Sequence, residues 1–408
     1  MLIAPMLVML SAYAATPSQP LLAGAAMRVV TPERPAYLAG LRSPRLSDGV
    51  HDDLYARAVA MSQGDETVIL VGIDVIGYAR ERVAGVKAEL DGRGVPADGL
   101  IVCATHQHSG PDTIGIWGPS EVETGVDEEY MAFLAAQIVD AAAEAYANRR
   151  AARVSVGART IPDGVARNAR VPEYDDELRV LHFVDVDGDT ISTLVNFTAH
   201  PETLWSDSTQ ITADYPQHVY RLVEEAFGGV TVFINGALGG MVTVASEENT
   251  FAECERIGAA VAETAIRATN DASVLEDPVL RHGRRVFTTP MDNAQFRAAV
   301  EAGVIPVGPN ADTVETEVSL IRLSDVAIAT VPGELLPAPG FALRDAMRER
   351  LGAASPFILG LANDELGYIL AAEQFDLPLY EYEASMSVGR DIGPAVVENL
   401  IELMSLDR

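Results

Sequence analysis

The stretch GLIVCATHQHSGPDT, residues 99–113, joins a run of apolar residues to two histidines and a Ser-Gly-Pro turn. The short apolar run predicts a buried strand over residues 99–106, and the Gly-Pro pair predicts a turn after it. If residues 105–108 stay extended, the His106 and His108 side chains project to one face and could bind one metal ion together. Alternatively, one binds the metal and the other contacts substrate, or both are structural histidines at the end of a strand.

Three further polar residues follow apolar, strand-like runs. His200 comes after NFTA, Asn235 after VTVFI, and Glu334 ends TVPGE. In sheet-based α/β folds, functional sites collect at the carboxyl edge of the sheet, so these residues and His106 predict one shared site. Imidazole and carboxylate groups are ligands that zinc and related metals favour. Glu334 could instead be an ordinary first-turn carboxylate of the helix that follows it.

Apolar runs alternate with amphipathic stretches along the whole chain, which predicts an α/β fold. Residues 67–77 are predicted as a buried strand. Residues 127–148 are predicted as a helix, because their apolar positions have helical spacing and Asp127 is a suitable N-cap. Asp187 and Gly188 predict the turn of a hairpin between two strands.

Composition excludes several classes of function. The 408 residues include 29 basic and 59 acidic side chains, a net charge of -30, which argues against nucleic-acid partners and against electrostatic docking on anionic membranes. Cys103 and Cys254 are the two cysteines, too few for a disulfide framework or a thiolate zinc site. The sequence has no HExxH, GxSxG, P-loop or GxGxxG motif.

The N-terminal segment MLIAPMLVMLSAYA, residues 1–14, is predicted to be a signal peptide. It is apolar and ends in an Ala-Tyr-Ala cleavage pattern at Ala14, although it has no Lys or Arg near its start. We therefore expect a secreted, periplasmic or envelope-associated protein. The alternative is a misassigned start or a tail, in which case the protein is cytoplasmic. No later run reaches the roughly 18 apolar residues of a transmembrane helix.

Nine short motifs, in order along the chain, resemble the catalytic region of neutral (non-lysosomal) ceramidases and their bacterial relatives. They are AGAAMRVVTP, VHDDLYARAVA, THQHSGPD, NARVPEY, FTAHP, TADYPQH, FINGALGG, TVPGE and YEYEAS. The resemblance implies mixed β-sheets layered with α-helices in one catalytic domain, residues 21–408, without the C-terminal β-domain of the family. Ceramidases of this family are zinc amidases that cleave the N-acyl bond of ceramide, which implies a lipid or small-molecule N-acyl amide as the substrate. The oligomeric state is not implied.

The resemblance also implies a zinc site with a metal-activated water. Its ligands would be His106, His200, Glu334 and Tyr380. Tyr382 is the alternative to Tyr380, since both lie in the LYEYEAS stretch. Asp112 and Asp214 are candidates for the carboxylates that orient ligating histidines.

The remaining functional residues concern the substrate. By resemblance, His108 faces the substrate, and Arg170 or Arg167 of the RNARVP stretch lies near it. Zinc lowers the pKa of its bound water to roughly 7 and polarises a carbonyl, while His108 and the arginine could stabilise the oxyanion that develops. Trp117 could form a wall of the substrate pocket, or it could simply pack in the fold.

One loop departs from the family pattern. Ceramidases carry Gly-Asp-Val-Ser-Pro after Asn-Gly-Ala, and the serine is essential to their chemistry. Here the loop reads NGALGGMVTV, so Gly240 stands in place of the Asp, Val242 in place of the Ser, and Thr243 one residue later. Thr243 or the metal-bound water could take over the role of that serine. Alternatively, the substrate is a different ester or amide, or the protein binds metal without amidase activity.

Overall fold

A computed structural model describes residues 19–41, 44–305 and 312–406. The predicted signal peptide, residues 1–14, lies outside these ranges. Among the helices within them, none combines the length and the apolar composition needed to span a membrane.

Nine of the described strands form one mixed sheet. With strands numbered along the chain, its members are β1 (Leu22–Val29), β3 (Tyr55–Gln63), β4 (Glu66–Ile73), β5 (Leu100–Ala104), β6 (Arg150–Thr160), β8 (Glu177–Asp185), β9 (Thr190–Phe197), β11 (Val230–Asn235) and β13 (Ser273–Val274). Their order is β11-β9-β8-β6-β1-β3-β4-β5, and β13 pairs with β6. The pairs β4/β5 and β9/β11 are parallel.

A second sheet has the order β14-β15-β16-β18. Its strands are β14 (Leu280–Pro290), β15 (Thr313–Leu323), β16 (Val326–Thr330) and β18 (Ser355–Leu359). Three two-stranded sheets complete the described strands: β2 (Gly49–Val50) with β10 (Gln210–Ile211), β7 (Ala166–Asn168) with β12 (Val242–Val244), and β17 (Glu334–Leu335) with β19 (Tyr368–Ile369).

The helices are α1 (Arg80–Gly92), α2 (Glu128–Ala147), α3 (Tyr215–Phe227), α4 (Phe251–Asn270), α5 (Ala294–Glu301), α6 (Pro337–Leu351), α7 (Glu381–Ser385) and α8 (Ile392–Leu406). Helices α1 to α4 bury their apolar faces against one face of the large sheet. The opposite face packs on the second sheet, for example through Leu70, Ile101 and Phe357. Helices α6 and α8 cover the outer face of the second sheet. The predicted mixed α/β fold is confirmed.

The local sequence signals correspond to observed elements. Asp127 accepts hydrogen bonds from the backbone N–H groups of Glu129 and Tyr130 and so caps α2, as predicted. The Asp-Gly turn joins β8 to β9, where Gly188 adopts a φ of 92°, a left-handed conformation that favours glycine.

The segment after β18 ties the ends of the central strands together. Gly360 N–H donates to the carbonyl of Asn235 (3.0 Å), and Ala104 N–H donates to the carbonyl of Leu361 (3.2 Å). The Asn235 side chain is fully buried and donates to the carbonyl of Thr105. The ends of β5, β11 and β18 therefore meet at one edge of the structure, where the loops that follow them can build a site.

A buried carboxyl group beside the same edge predicts a pH-dependent stability. Asp364 accepts hydrogen bonds from Arg80 N–H at the start of α1 (3.2 Å) and from the Thr316 hydroxyl (2.8 Å). Burial raises the pKa of Asp364 to about 7. The folded state therefore favours the protonated form, whose stabilisation is complete below about pH 4 and is lost as the pH rises through 7.

In Asp364→Asn, this pH dependence disappears because an amide stays neutral at every pH. We expect the fall in unfolding free energy between pH 5 and pH 8 to be roughly 1–3 kcal/mol smaller in Asp364→Asn than in the wild type. Urea denaturation at the two pH values measures it. An identical pH dependence in the two proteins would contradict the buried, neutral Asp364.

Candidate metal centre and substrate cavity

Three residues from separate strand ends meet at this edge. His106 follows β5, His200 follows β9, and Glu334 begins β17. Nε2 of His200 lies 3.0 Å from Oε2 of Glu334, and Nε2 of His106 lies 3.6 Å from Oε1. Two ligands of one tetrahedral zinc ion, each at about 2.0–2.1 Å, are themselves roughly 3.3 Å apart. The three donor groups therefore have the spacing of a common metal ion.

The backbone of His106 differs from the prediction. The sequence suggested an extended segment over residues 105–108, but His106 adopts a φ of 62°, a left-handed conformation that non-glycine residues rarely adopt. Strand alternation therefore does not place His106 and His108 on one face. Their rings still approach to 5.1 Å between centroids because the chain turns at His106. Backbone strain of this kind concentrates at functional sites.

Backbone carbonyl groups orient the two histidines. Nδ1 of His106 lies 2.6 Å from the carbonyl oxygen of Ile76, and Nδ1 of His200 lies 2.7 Å from that of Val242. A carbonyl only accepts, so each Nδ1 carries the proton, and a neutral ring presents its Nε2 lone pair toward Glu334. Such an anchor on the far nitrogen is typical of metal-ligating histidines.

Asp112 and Asp214, the sequence candidates for this orienting role, have other partners. The Asp112 carboxylate accepts from backbone N–H groups of its own loop, including those of Gly115 and Trp117. Asp214 accepts from the Thr203 hydroxyl and caps the start of α3. Both carboxylates hold turns in place.

His108 lies close to the other two histidines but is held differently. The ligand nitrogens of His106, His108 and His200 all lie within 4.8 Å of one another, and the group is buried, so it could bind a metal. In contrast to the other two, His108 makes no ring hydrogen bond to a backbone carbonyl among the described residues, and its Nδ1 lies 3.3 Å from Oε2 of Glu202. Its position leaves two donor sets open: His106, His200 and Glu334, or the three histidines.

The ionisation of the group follows from burial and from Glu334. Burial lowers the pKa of His106 to about 4, and it lowers that of His108 well below its ordinary value. Burial also lowers the pKa of His200, but the hydrogen bond from its ring to Glu334 and the nearby carboxylates raise it to about 9. A metal ion that binds here must therefore displace a proton from His200.

The tyrosine beside Glu334 is not the one that the sequence suggested. Tyr380 packs with Leu336, Tyr368 and Leu370, away from the cavity. Tyr382 lines the cavity, as expected for positions two apart in a helical segment, which point about 200° apart. The hydroxyl of Tyr368 donates to Sδ of Met241 at 3.8 Å, and Tyr368 lies beside Glu334 because β19 pairs it directly with Glu334 of β17.

Arg170 and Trp117 line the same cavity as the three histidines and Glu334. Nε of Arg170 donates to Oε1 of Glu383 at 2.8 Å, and this buried carboxylate fixes the guanidinium at the wall. Arg167 lies in β7 on the exposed side of the chain and does not line the cavity.

The loop that departs from the family pattern supports His200 through its backbone. The carbonyl of Val242, which stands in place of the family's serine, accepts from both the backbone N–H of His200 (2.9 Å) and its Nδ1. Thr243 is buried beside the Glu202 carboxylate and does not line the cavity. Met241 lines it instead, with a φ of 64°.

The cavity has a volume of about 330 Å³ and a largely apolar wall. Both tryptophans of the chain, Trp117 and Trp205, contribute to it. Its other apolar residues come from several loops and from the segment around α5: Leu41, Ile76, Ile114, Ile116, Met241, Met291, Phe296, Ile305, Leu366, Met386 and Val388. An apolar cavity with a few convergent polar groups is the usual form of a small-molecule site.

Sequence reasoning missed three polar residues of this wall: Glu202, Glu365 and Tyr368. Glu202 lies two residues after His200, and a search of the segment around each predicted ligand would have found it. Glu365 lies in the irregular segment between β18 and β19, and Tyr368 begins the two-residue β19, so no periodic pattern indicates their position.

Comparisons with known proteins agree with this architecture. No protein-family model and no curated protein sequence matches the chain. Among solved structures, the neutral ceramidase from Pseudomonas aeruginosa is similar with a TM-score of 0.78 at 18% identity, over 95% of this chain and 74% of that chain. A ceramidase complexed with C2 is similar with a TM-score of 0.77 at 17% identity, over 95% of this chain and 75% of that chain. This chain therefore has the fold of the neutral ceramidases.

Proposed function

We propose that the protein is a zinc-dependent hydrolase of linear N-acyl amides. The observation that carries the proposal is the convergence of His106, His200 and Glu334, with both Nδ1 atoms anchored so that both Nε2 atoms face the carboxylate. Imidazole nitrogen and carboxylate oxygen donors with no thiolate suit zinc. Tyr368 lines the same cavity beside Glu334 and could supply a fourth donor to the metal ion. The likeness to ceramidase structures supports an amide as the bond that is cleaved.

A zinc ion held by these residues would supply an activated water and polarise the carbonyl of the amide. The chain's own groups would bind and orient the substrate. His108 and Arg170 line the cavity and could stabilise negative charge that develops on the carbonyl oxygen. Tyr382 lies in the wall near Glu334 and Arg170, and we assign it to the substrate side. The apolar residues around Trp117 exclude water from the acyl chain.

The loop at Val242 favours a second candidate function, a metal-binding relative without amidase activity. Thr243 lies off the cavity, so this loop contributes no hydroxyl group to the wall. The proposed amidase therefore depends on water as the nucleophile. An ester, or an amide other than ceramide, fits the same chemistry as a substrate. For location, the predicted leader supports export to the periplasm, the envelope or the medium, and a chain whose leader is not functional would stay in the cytoplasm.

Metal removal tests the proposal directly. We expect purified protein to contain about one zinc ion per chain and to hydrolyse members of a panel of N-acyl amides and esters. Chelation should abolish turnover, and added zinc should restore it, because the water and the carbonyl both depend on the ion. Protein that binds zinc yet turns over nothing in the panel would establish the second candidate. Protein that hydrolyses amides equally well after complete chelation would overturn the zinc assignment.

A further inference from the structure

Apart from its histidines, the wall of the cavity holds more acidic than basic side chains. Three carboxyl groups line it, those of Glu202, Glu334 and Glu365, and Arg170 is the arginine among the lining residues that the structure describes. That guanidinium is already paired with Glu383. A divalent metal ion would balance two of the three carboxylates, so one negative charge would still lack a partner.

Two carboxylate oxygens in this wall have no hydrogen-bond partner among the described residues. They are Oε1 of Glu202 and Oε2 of Glu365, and both atoms are buried. Glu202 is only 3% exposed, and Gly367 N–H donates to the other oxygen of Glu365 at 3.1 Å. A buried acceptor without a donor costs free energy, so its persistence in a ligand cavity indicates that a ligand supplies the donor.

Both acceptors lie near the proposed point of cleavage. Both side chains line the cavity that holds Glu334, and Oε2 of Glu202 lies 3.3 Å from Nδ1 of His108. A cation next to either carboxylate would be attracted to it, whereas an anion would be repelled. The whole chain, with a net charge of -30, also attracts cations toward the cavity and repels anions.

We propose that the cavity selects N-acyl amides whose amine half carries a second, protonated amine, as in N-acyl diamines. Glu202 and Glu365 would accept its N–H groups, and the apolar wall around Trp117 would hold the acyl chain. This selectivity rests on the amidase function proposed above. It adds the class of the amine, which the zinc site alone does not specify.

Three substrates with one hexanoyl chain test the selectivity: the amides of ethylenediamine, ethanolamine and glycine. They carry a cation, a neutral hydroxyl and an anion at matched positions. We expect kcat/KM to be at least ~10-fold higher for the cation than for the neutral amide, the effect of one charge-assisted hydrogen bond, and lower again for the anion. In Glu202→Gln and Glu365→Gln, the ratio of cation to neutral amide should fall toward one. In Glu248→Gln, an exposed carboxylate away from the cavity, the ratio should stay at the wild-type value.

Binding gives a second readout that does not need turnover. Trp117 and Trp205 both line the cavity, so their fluorescence should report hexylammonium and hexanol titrated into zinc-loaded protein. We expect at least ~10-fold tighter binding of the ammonium ion, reduced in Glu202→Gln. Equal affinity for the two ligands overturns the selectivity, with or without amide turnover. Hydrolysis of neutral amides without a preference for the cation also overturns it and leaves the amidase proposal intact.

Discussion

The Glu334→Gln variant is expected to lose high-affinity zinc binding and, with it, turnover of amides. Glu334 reaches both imidazoles, with Oε2 3.0 Å from Nε2 of His200 and Oε1 3.6 Å from Nε2 of His106. Glutamine keeps the shape but removes the charge and turns an N–H group toward one of these nitrogens. Loss of an outer partner of a metal ligand costs ~10–100-fold in affinity, and loss of a ligand should exceed ~100-fold. Competition with a chromophoric chelator measures the zinc affinity.

His108→Gln is the matched control, because the structure leaves two donor sets open. Backbone carbonyls anchor the Nδ1 atoms of His106 and His200, whereas Nδ1 of His108 faces the Glu202 carboxylate, so we expect His108→Gln to keep the zinc. Its kcat should fall ~100–1000-fold, the usual effect of one lost oxyanion donor. The reverse pattern, with zinc retained by Glu334→Gln and lost from His108→Gln, would establish the three histidines as the ligand set.

The sequence predicts the carboxyl-edge residues well and the loop residues poorly, for a physical reason. His106, His200 and Glu334 follow apolar runs whose length and period predict buried strands, and strands of one sheet bring their ends together. Asn235 satisfies the same rule, yet its amide ties two strand ends by hydrogen bonds. A position at the carboxyl edge of the sheet therefore predicts that these side chains lie near one another, but it does not predict which group each side chain contacts.

The identity of the tyrosine beside Glu334 could not be predicted from the local sequence pattern. Tyr380 and Tyr382 lie in a motif that resembles a known family, whereas Tyr368 lies in a two-residue strand that exists only because β17 pairs with it. Such a contact is tertiary, and no period in the sequence encodes it. The same holds for the stacking of the two sheets, since strands buried on both faces, such as β4 and β5, do not specify which layer covers each face.

Gly239→Ala is expected to damage the metal site without altering any ligand. An added Cβ at Gly239 would lie 2.3 Å from the carbonyl oxygen of Glu334 and 2.9 Å from the carbonyl carbon of Leu335. Both are backbone atoms, and Gly239 N–H also donates to the carbonyl of Leu335 at 2.9 Å. Either this loop or β17 must therefore move, and β17 carries Glu334. We expect a loss of ~1–3 kcal/mol in unfolding free energy and a zinc affinity at least ~10-fold weaker.

The helical Gly85→Ala is the matched control for Gly239→Ala, because it makes the same chemical change where a Cβ meets nothing within 4 Å. It should raise the unfolding free energy by ~0.5–1 kcal/mol, since alanine is the better helix former, and leave zinc affinity at the wild-type value. Urea denaturation of metal-free protein and chelator competition measure the two effects separately. If Gly239→Ala matches Gly85→Ala in both, the loop does not hold Glu334 in place. If Gly239→Ala loses zinc affinity at unchanged stability, the loop positions the ligand without contributing to the fold, and Gly239 is a requirement of this metal centre.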